Sequence, residues 1–297
     1  MKITKNYHIP VLLKLAVEYL NVKPGGMYVD ATLGGGGHST EILKKGGKLL
    51  SLDYDQDAID NAKDSLIKNF PKQLITVKSN FNQITEVACE NNFNSVDGIL
   101  FDLGLSSHQL ESPDRGFSFN QDGLLDMRMD QNLTVGAREL INGLNEGELN
   151  ELFIKLGEEK FSRRIAGAIC SARRIRPIES TVELAQIIEK VVPRRGNYKK
   201  IHPATQVFQA LRIAVNDELN NLRIALPKSV ELLNKGGRLV IISFHSLEDK
   251  IVKDYFRVQQ LKGVLRIITE KPISPSLEEI NTNPRSRSAK LRVAEKV

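Results

Sequence analysis

The chain has 297 residues, a mass of 33.2 kDa and an apolar fraction of 41%. That exceeds one typical domain of roughly 100–200 residues and excludes a chain too polar to bury a core. A net charge of +6 and a pI of 9.2 permit a polyanionic partner without requiring one.

No apolar run approaches the roughly 20 residues of a membrane helix. The opening segment MKITKNYHIP has no apolar core of the signal-peptide kind, so no membrane association and a cytosolic location are expected. Cys89 and Cys170 are isolated. They offer neither a disulfide framework nor a paired metal site, and no metal is expected.

Strand patterns fall at residues 27–32, 48–53, 74–78 and 98–103. Helical patterns separate them at 38–45, 56–68 and 83–91. Short apolar runs alternating with helices indicate βαβ units and a parallel sheet. From about 111 to 206 no strand is convincing, and helix signals take over. Asn145 with Glu148, and Ser180 with Glu183, have capping-box spacing. Helical patterns cover 162–174 and 182–192.

The α/β pattern then resumes. A long amphipathic helix is expected over 207–226, with Gly236 and Gly237 ending the helical region. A strand follows at 238–244, a helix from Ser246, and a closing strand pair at 264–269 and 289–294. The expected fold is α/β, one sheet domain formed by 1–110 and 207–297, interrupted by an all-helical insertion at 111–206. Charge is uneven: residues 111–159 carry net −7, 160–206 net +8 and 207–297 net +6. The second half of the insertion and the C-terminal part therefore carry the basic surface.

The first βα turn reads DATLGGGGHS from Asp30 to Ser39. Glycines there allow a tight turn and close approach of a ligand, and the helix start offers free N–H groups. A dinucleotide fingerprint, G-x-G-x-x-G, is met at Gly34 and Gly36, but its third glycine falls on Ser39. Asp30 and Asp53 end the first two strands; an acid at the second suits ribose hydroxyls. Phe81 follows the third strand, where a ring could flank an adenine or simply fill the core, and Asp102 ends the fourth. Ligands of open α/β sheets lie beyond these strand ends.

At this point the chain resembles the bacterial small-subunit ribosomal RNA cytosine-N4 methyltransferases. The resemblance runs throughout its length. It is carried by HIPVLL from His8, the turn Gly34–Ser39, DLGLSS from Asp102 with Gln109, and RGFSF from Arg115. LDMRMD from Leu125, GEE from Gly157, HPAT from His202, ISFHSLED from Ile242 and NPRSRS from Asn283 also carry it. Two positions depart from the family pattern: Ala31, where glycine is common, and His108, where proline is common.

The resemblance implies a Rossmann-like methyltransferase sheet carrying a helical insertion, with S-adenosylmethionine as cofactor. It implies cofactor contacts at Gly36, Gly37, His38, Asp53, Phe81, Asp102 and Gln109. Asp53 would hold the ribose hydroxyls, Phe81 would lie by the adenine, and Asp102 would sit near the reacting methyl. The implied reaction is N4-methylation of the decoding-centre cytidine of small-subunit (16S) ribosomal RNA. The partner would be that RNA or the assembled small subunit, and a homodimer is compatible with this reading.

A sulfonium methyl is already activated, so such an enzyme mainly positions its reactants. The cytosine N4 lone pair is delocalised, and an acceptor on its N–H would localise it and take the proton. Asp102, Ser106 or a backbone carbonyl are the candidates; the Asp/Ser/Asn-Pro-Pro-aromatic motif of DNA amino-methyltransferases is not present there. His202 and His245 are candidates to line the base pocket, with a packed structural histidine the alternative at each. The basic insertion helices, together with Arg285, Arg287, Lys290 and Arg292, are candidates to hold phosphates. Two other functions compete: a nicotinamide-dependent oxidoreductase, and a non-catalytic ribosome-assembly or RNA-binding factor on the same fold.

Overall fold

The computed structural model describes residues 10–193 and 202–297. His8 and Ile9 of the first family-like segment lie outside the described residues, as do Arg194, Arg195, Lys199 and Lys200 of the basic insertion. The chain divides into two compact units, one of residues up to Ser106 with Leu219–Val297, the other Ser107–Glu218.

The first unit opens with α1 (Leu13–Leu20), β1 (Met27–Asp30) and α2 (Gly37–Lys44). It continues through β2 (Lys48–Asp53), α3 (Gln56–Ala62), β3 (Leu74–Lys78), α4 (Ile84–Glu90) and β4 (Val96–Asp102). β1 pairs in parallel with both β2 and β4, and β2 with β3. The strand order therefore reverses between β1 and β4. The strands are apolar almost throughout because both faces of the sheet are covered. Alternate residues sort accordingly. Val29, Leu50, Leu52, Ile99 and Phe101 enter one core cluster, while Tyr28, Leu49 and Leu100 enter the other.

The second unit is helical: α5 (Ser107–Glu111), α6 (Ala137–Gly143), α7 (Glu146–Gly157), α8 (Ser162–Arg173), α9 (Thr181–Val191) and α10 (Thr205–Asn216). α7 begins with the capping box expected at Asn145 and Glu148. At α9 the Ser180 hydroxyl accepts from the Glu183 N–H, but the Glu183 carboxylate accepts from Glu179 instead of reaching back to Ser180. Long irregular stretches are held by side chains bonded to backbone. Buried Arg115 donates to the carbonyls of Arg128 and Met129, and Arg173 to those of Ile141 and Leu144.

The chain then returns through α11 (Glu218–Leu232), β5 (Leu233–Ser243), α12 (Ser246–Leu261), β6 (Leu265–Ile267), α13 (Leu277–Thr282) and β7 (Lys290–Lys296). The sheet order is β3-β2-β1-β4-β5-β7-β6, with β7 antiparallel to β5 and β6. This is the Rossmann-like sheet that the sequence led us to expect. Among the described residues no helix is long and apolar enough to cross a membrane.

Two expectations need correction. The single helix over 207–226 is two helices, α10 and α11, because Asp217 adopts a left-handed conformation (φ 50°). Asn216 caps the break by accepting from Met129 N–H and donating to the Met127 carbonyl, so α10 clusters with the helical unit. Gly236 and Gly237 do not end a helix either. They lie inside β5, where the register with β4 shifts between Val96 and Gly98 and Gly236 has φ +77°.

Gly157 lies where α7 meets α10. A Cβ there would stand 2.6 Å from the Gln206 carbonyl oxygen and 3.2 Å from the Ala210 Cβ. Backbone cannot yield as a side chain can, and overpacking costs about 1–3 kcal/mol, more than the roughly 1 kcal/mol gained from helix propensity. Gly157→Ala should therefore lower stability, by up to about 2 kcal/mol, read as a reduced urea midpoint at unchanged slope. An increase would show that α7 and α10 pack less tightly than described.

Candidate active site

Three carboxylates stand at the carboxyl ends of β1, β2 and β4, at the point where strand order reverses. The turn after β1 is built around them. Asp30 is buried; its Oδ2 accepts from the Ser39 hydroxyl (2.7 Å) and its Oδ1 from the Thr32 N–H (3.2 Å). Asp53 accepts from the Gly34 N–H at Oδ2 (2.7 Å) and from the Asp55 N–H at Oδ1 (2.8 Å). Gly36 precedes α2 with φ +74°, and a Cβ on it would fall 2.5 Å from Leu66. Both the backbone conformation and the space thus call for glycine.

Asp102 is held differently. Its backbone N–H donates to the Thr32 hydroxyl (2.6 Å), and its side chain is 11% exposed. Its Oδ2 lies 3.5 Å from His38 Nδ1, while Oδ1 is buried with no hydrogen-bond partner among the described residues. His38 is buried at the start of α2, and its Nε2 donates to the Val11 carbonyl (3.1 Å), since a carbonyl can only accept.

Burial dominates the electrostatics. It pushes the Asp30 carboxyl up to about 7 against the donors Ser39 and Thr32. It pushes Asp53 up to about 6 against the backbone N–H groups of Asp55 and Gly34. Asp102 stands well above the usual carboxylate range through burial first, then through repulsion from Asp30 and Glu248. This acidic edge suits a ligand bearing hydroxyls and positive charge better than a pyrophosphate. The unsatisfied Asp102 Oδ1 is one atom such a ligand would satisfy, so the residues fit S-adenosylmethionine.

Phe81 follows β3 in a single helical turn, half-buried, with its ring edge-on to Phe101 at 5.7 Å. Ser106 is half-buried just past β4. Gly36, Gly37, His38, Asp53, Phe81, Asp102 and Ser106 all belong to the first unit. Gln109 belongs to the second, buried on α5, as does His202, which precedes α10.

His245 caps α12. Its Nδ1 accepts from the Glu248 N–H (3.4 Å), and the buried Glu248 carboxylate accepts from the N–H groups of Phe244 (2.8 Å) and His245 (3.3 Å). The structure thus gives this histidine a capping role through Nδ1. Arg285 and Arg287 are exposed on the turn over Pro284–Ser288. Arg292 is not available to phosphates as expected: it is buried against Asp249 (2.6 Å), which Lys290 also reaches (3.1 Å). The sequence reading missed Thr32, Ser39 and Glu248. Ser39 was visible as the residue in place of a third glycine, and Glu248 by its capping-box spacing from His245.

The raised Asp30 sets a sign for stability against pH. The folded chain keeps a proton that the unfolded chain has lost, so stability falls as pH rises from about 4 to about 7 and is level above that. Relative to Asp30→Asn, the wild type should lose up to about 4 kcal/mol over this window. Urea unfolding at stepped pH measures it; parallel curves for the two proteins would refute it.

A family model described as the MraW methylase family matches residues 5–297. A ribosomal RNA small subunit methyltransferase H from Carboxydothermus hydrogenoformans is 48% identical over 306 aligned positions, covering 98% of each chain. One of the same name from Brevibacillus brevis is 45% identical over 309 positions, again covering 98% of each. With nearly its full length matched by the family model and by both relatives, the chain belongs to the MraW methylase family.

Proposed function

We propose that this enzyme methylates N4 of a cytidine in small-subunit (16S) ribosomal RNA, cytidine 1402 of the decoding centre, with S-adenosylmethionine as methyl donor. The observation that carries the reading is the set of carboxylates at the ends of β1, β2 and β4, Asp30 buried and Asp53 and Asp102 partly so, with Asp102 Oδ1 left without a donor among the described residues. The names of both relatives support ribosomal RNA as substrate.

Bound S-adenosylmethionine supplies an electrophilic methyl group on a positively charged sulfur. Asp53, fixed by Gly34 and Asp55, holds the ribose hydroxyls through its remaining lone pairs. Phe81, braced edge-on by Phe101, flanks the adenine. Gly36, Gly37 and His38 let the backbone at the start of α2 come close. Asp102 lies at the methionine end.

The target base leaves its stack to enter such a pocket. Asp102, whose Oδ1 meets no donor among the described residues, serves as acceptor for the N4 amino group. Ser106 is the second acceptor in reach along the chain. Arg285 and Arg287 on their exposed turn, and His202 of the helical unit, contact RNA. His245, which caps α12 just past β5, lines the base pocket.

Labelled S-adenosylmethionine incubated with small subunits from cells lacking the enzyme should place label in N4-methylcytidine after digestion to nucleosides. Label in another nucleoside would overturn the cytosine assignment; no label, with cofactor binding intact, would favour the assembly-factor reading. In single-turnover assays with cofactor bound, Asp102→Asn should slow transfer by about 10²-fold or more, the usual size of a general-base contribution, and Ser106→Ala by less. Near-normal rates in both would remove these residues as proton acceptors.

A further inference from the structure

Within the helical unit three rings form a ladder. Phe208 on α10 is buried in the core of that unit. Phe119 meets it edge-on, with centroids 4.8 Å apart and planes at 78°. His202 then stacks on Phe119, with centroids 4.4 Å apart and planes at 30°.

The histidine ring is fixed on three sides. Nδ1 accepts from the Ala204 N–H (3.1 Å), which places the ring proton on Nε2, and Nε2 lies 3.0 Å from Glu189 Oε1 on α9. One face is covered by Phe119. Yet 34% of the side chain is exposed. With both nitrogen edges and one face engaged, that exposure falls on the opposite face and the carbon edge beside it.

We propose that this open imidazole face is a docking platform for an unstacked base of the RNA substrate, a subsite in the helical unit that stacks a base by its π-face. The proposal rests on the RNA reading given above. A planar ring held rigid by two polar contacts, and backed by a second ring anchored in the core, loses little entropy on stacking. Unpaired RNA bases are taken up on just such aromatic faces, largely irrespective of sequence. The unit that carries the platform suits a polyanion: residues 160–206 carry net +8, and Arg163, Arg164, Arg174 and Lys190 are exposed.

Two variants separate the face from its hydrogen bonds. His202→Asn keeps an acceptor for the Ala204 N–H and removes the ring; His202→Phe keeps a ring and removes both nitrogens. The probe is a short single-stranded oligoribonucleotide of mixed sequence. His202→Asn should weaken its binding roughly tenfold, while His202→Phe should stay within about threefold of wild type. In the wild type the His202 ring protons should move upfield on addition of the oligonucleotide and stay put with inorganic phosphate. S-adenosylhomocysteine affinity should be unchanged in both variants.

Equal losses in the two variants, unchanged binding in His202→Asn, or no ring-proton shift would each overturn the platform. Methyl transfer is scored separately with small subunits. A wild type that methylates cytidine but shows no ring shift sinks the platform alone. A ring shift without methyl transfer leaves the platform standing and sinks the catalytic reading.

Discussion

Keeping three carboxylates together, largely out of water, at one edge of a sheet is the constraint around which the first unit is built. Each buried carboxylate loses hydration, and its charged form survives only if hydrogen-bond donors replace the lost water. The turn after β1 supplies those donors. Ser39 and the Thr32 N–H serve Asp30, and the Gly34 N–H serves Asp53. Thr32 also fixes the backbone of Asp102 through its hydroxyl. The glycine run is needed because the chain must turn sharply enough to aim N–H groups at Asp53 while starting α2 directly afterwards. Asp102 is left with one acceptor atom unsatisfied among the described residues.

The same constraint reaches across the sheet. β5 lies beside β4 in parallel, so the segment after it emerges next to Asp102, and Leu103 N–H bonds to the Ile242 carbonyl. Glu248 holds that segment by accepting from Phe244 and His245, and adds a further negative charge facing Asp102. The α12 cap therefore has an electrostatic consequence as well as a structural one. Asp249, the next residue, ties α12 to β7 through buried Arg292, which is why that arginine serves the fold.

The helical unit follows a different logic. The stretch between α5 and α6 has little regular structure, so its backbone groups need partners from elsewhere. Arg115 and Asn216 supply them, reaching the segment around Met127–Met129 from both sides along the chain. Order imposed by buried polar side chains leaves the surface free to carry charge, and residues 160–206 carry net +8.

Sequence by itself determined the sheet strands, the acids at the strand ends and the family, because these depend on local periodicity and on motifs contiguous in the chain. Residues 48–53 were legible as a strand since Leu49, Leu50 and Leu52 are buried on opposite faces of the sheet, and 74–78 since Leu74, Ile75, Thr76 and Val77 are largely β-branched and suit an edge strand. Asp30, Asp53 and Asp102 were legible since each simply ends its strand. Tertiary structure alone decided the break at Asp217, the place of Gly236 within β5, the burial of Arg292 and the ring ladder from Phe208 to His202. Each of these rests on partners far apart in the chain: Asn216 with Met127, β5 with β4, Arg292 with Asp249, Phe119 with His202. A helix break, a bulge, a buried cation and a stacked ring are stabilised by what they touch, and contact between distant residues is set by packing rather than by local sequence.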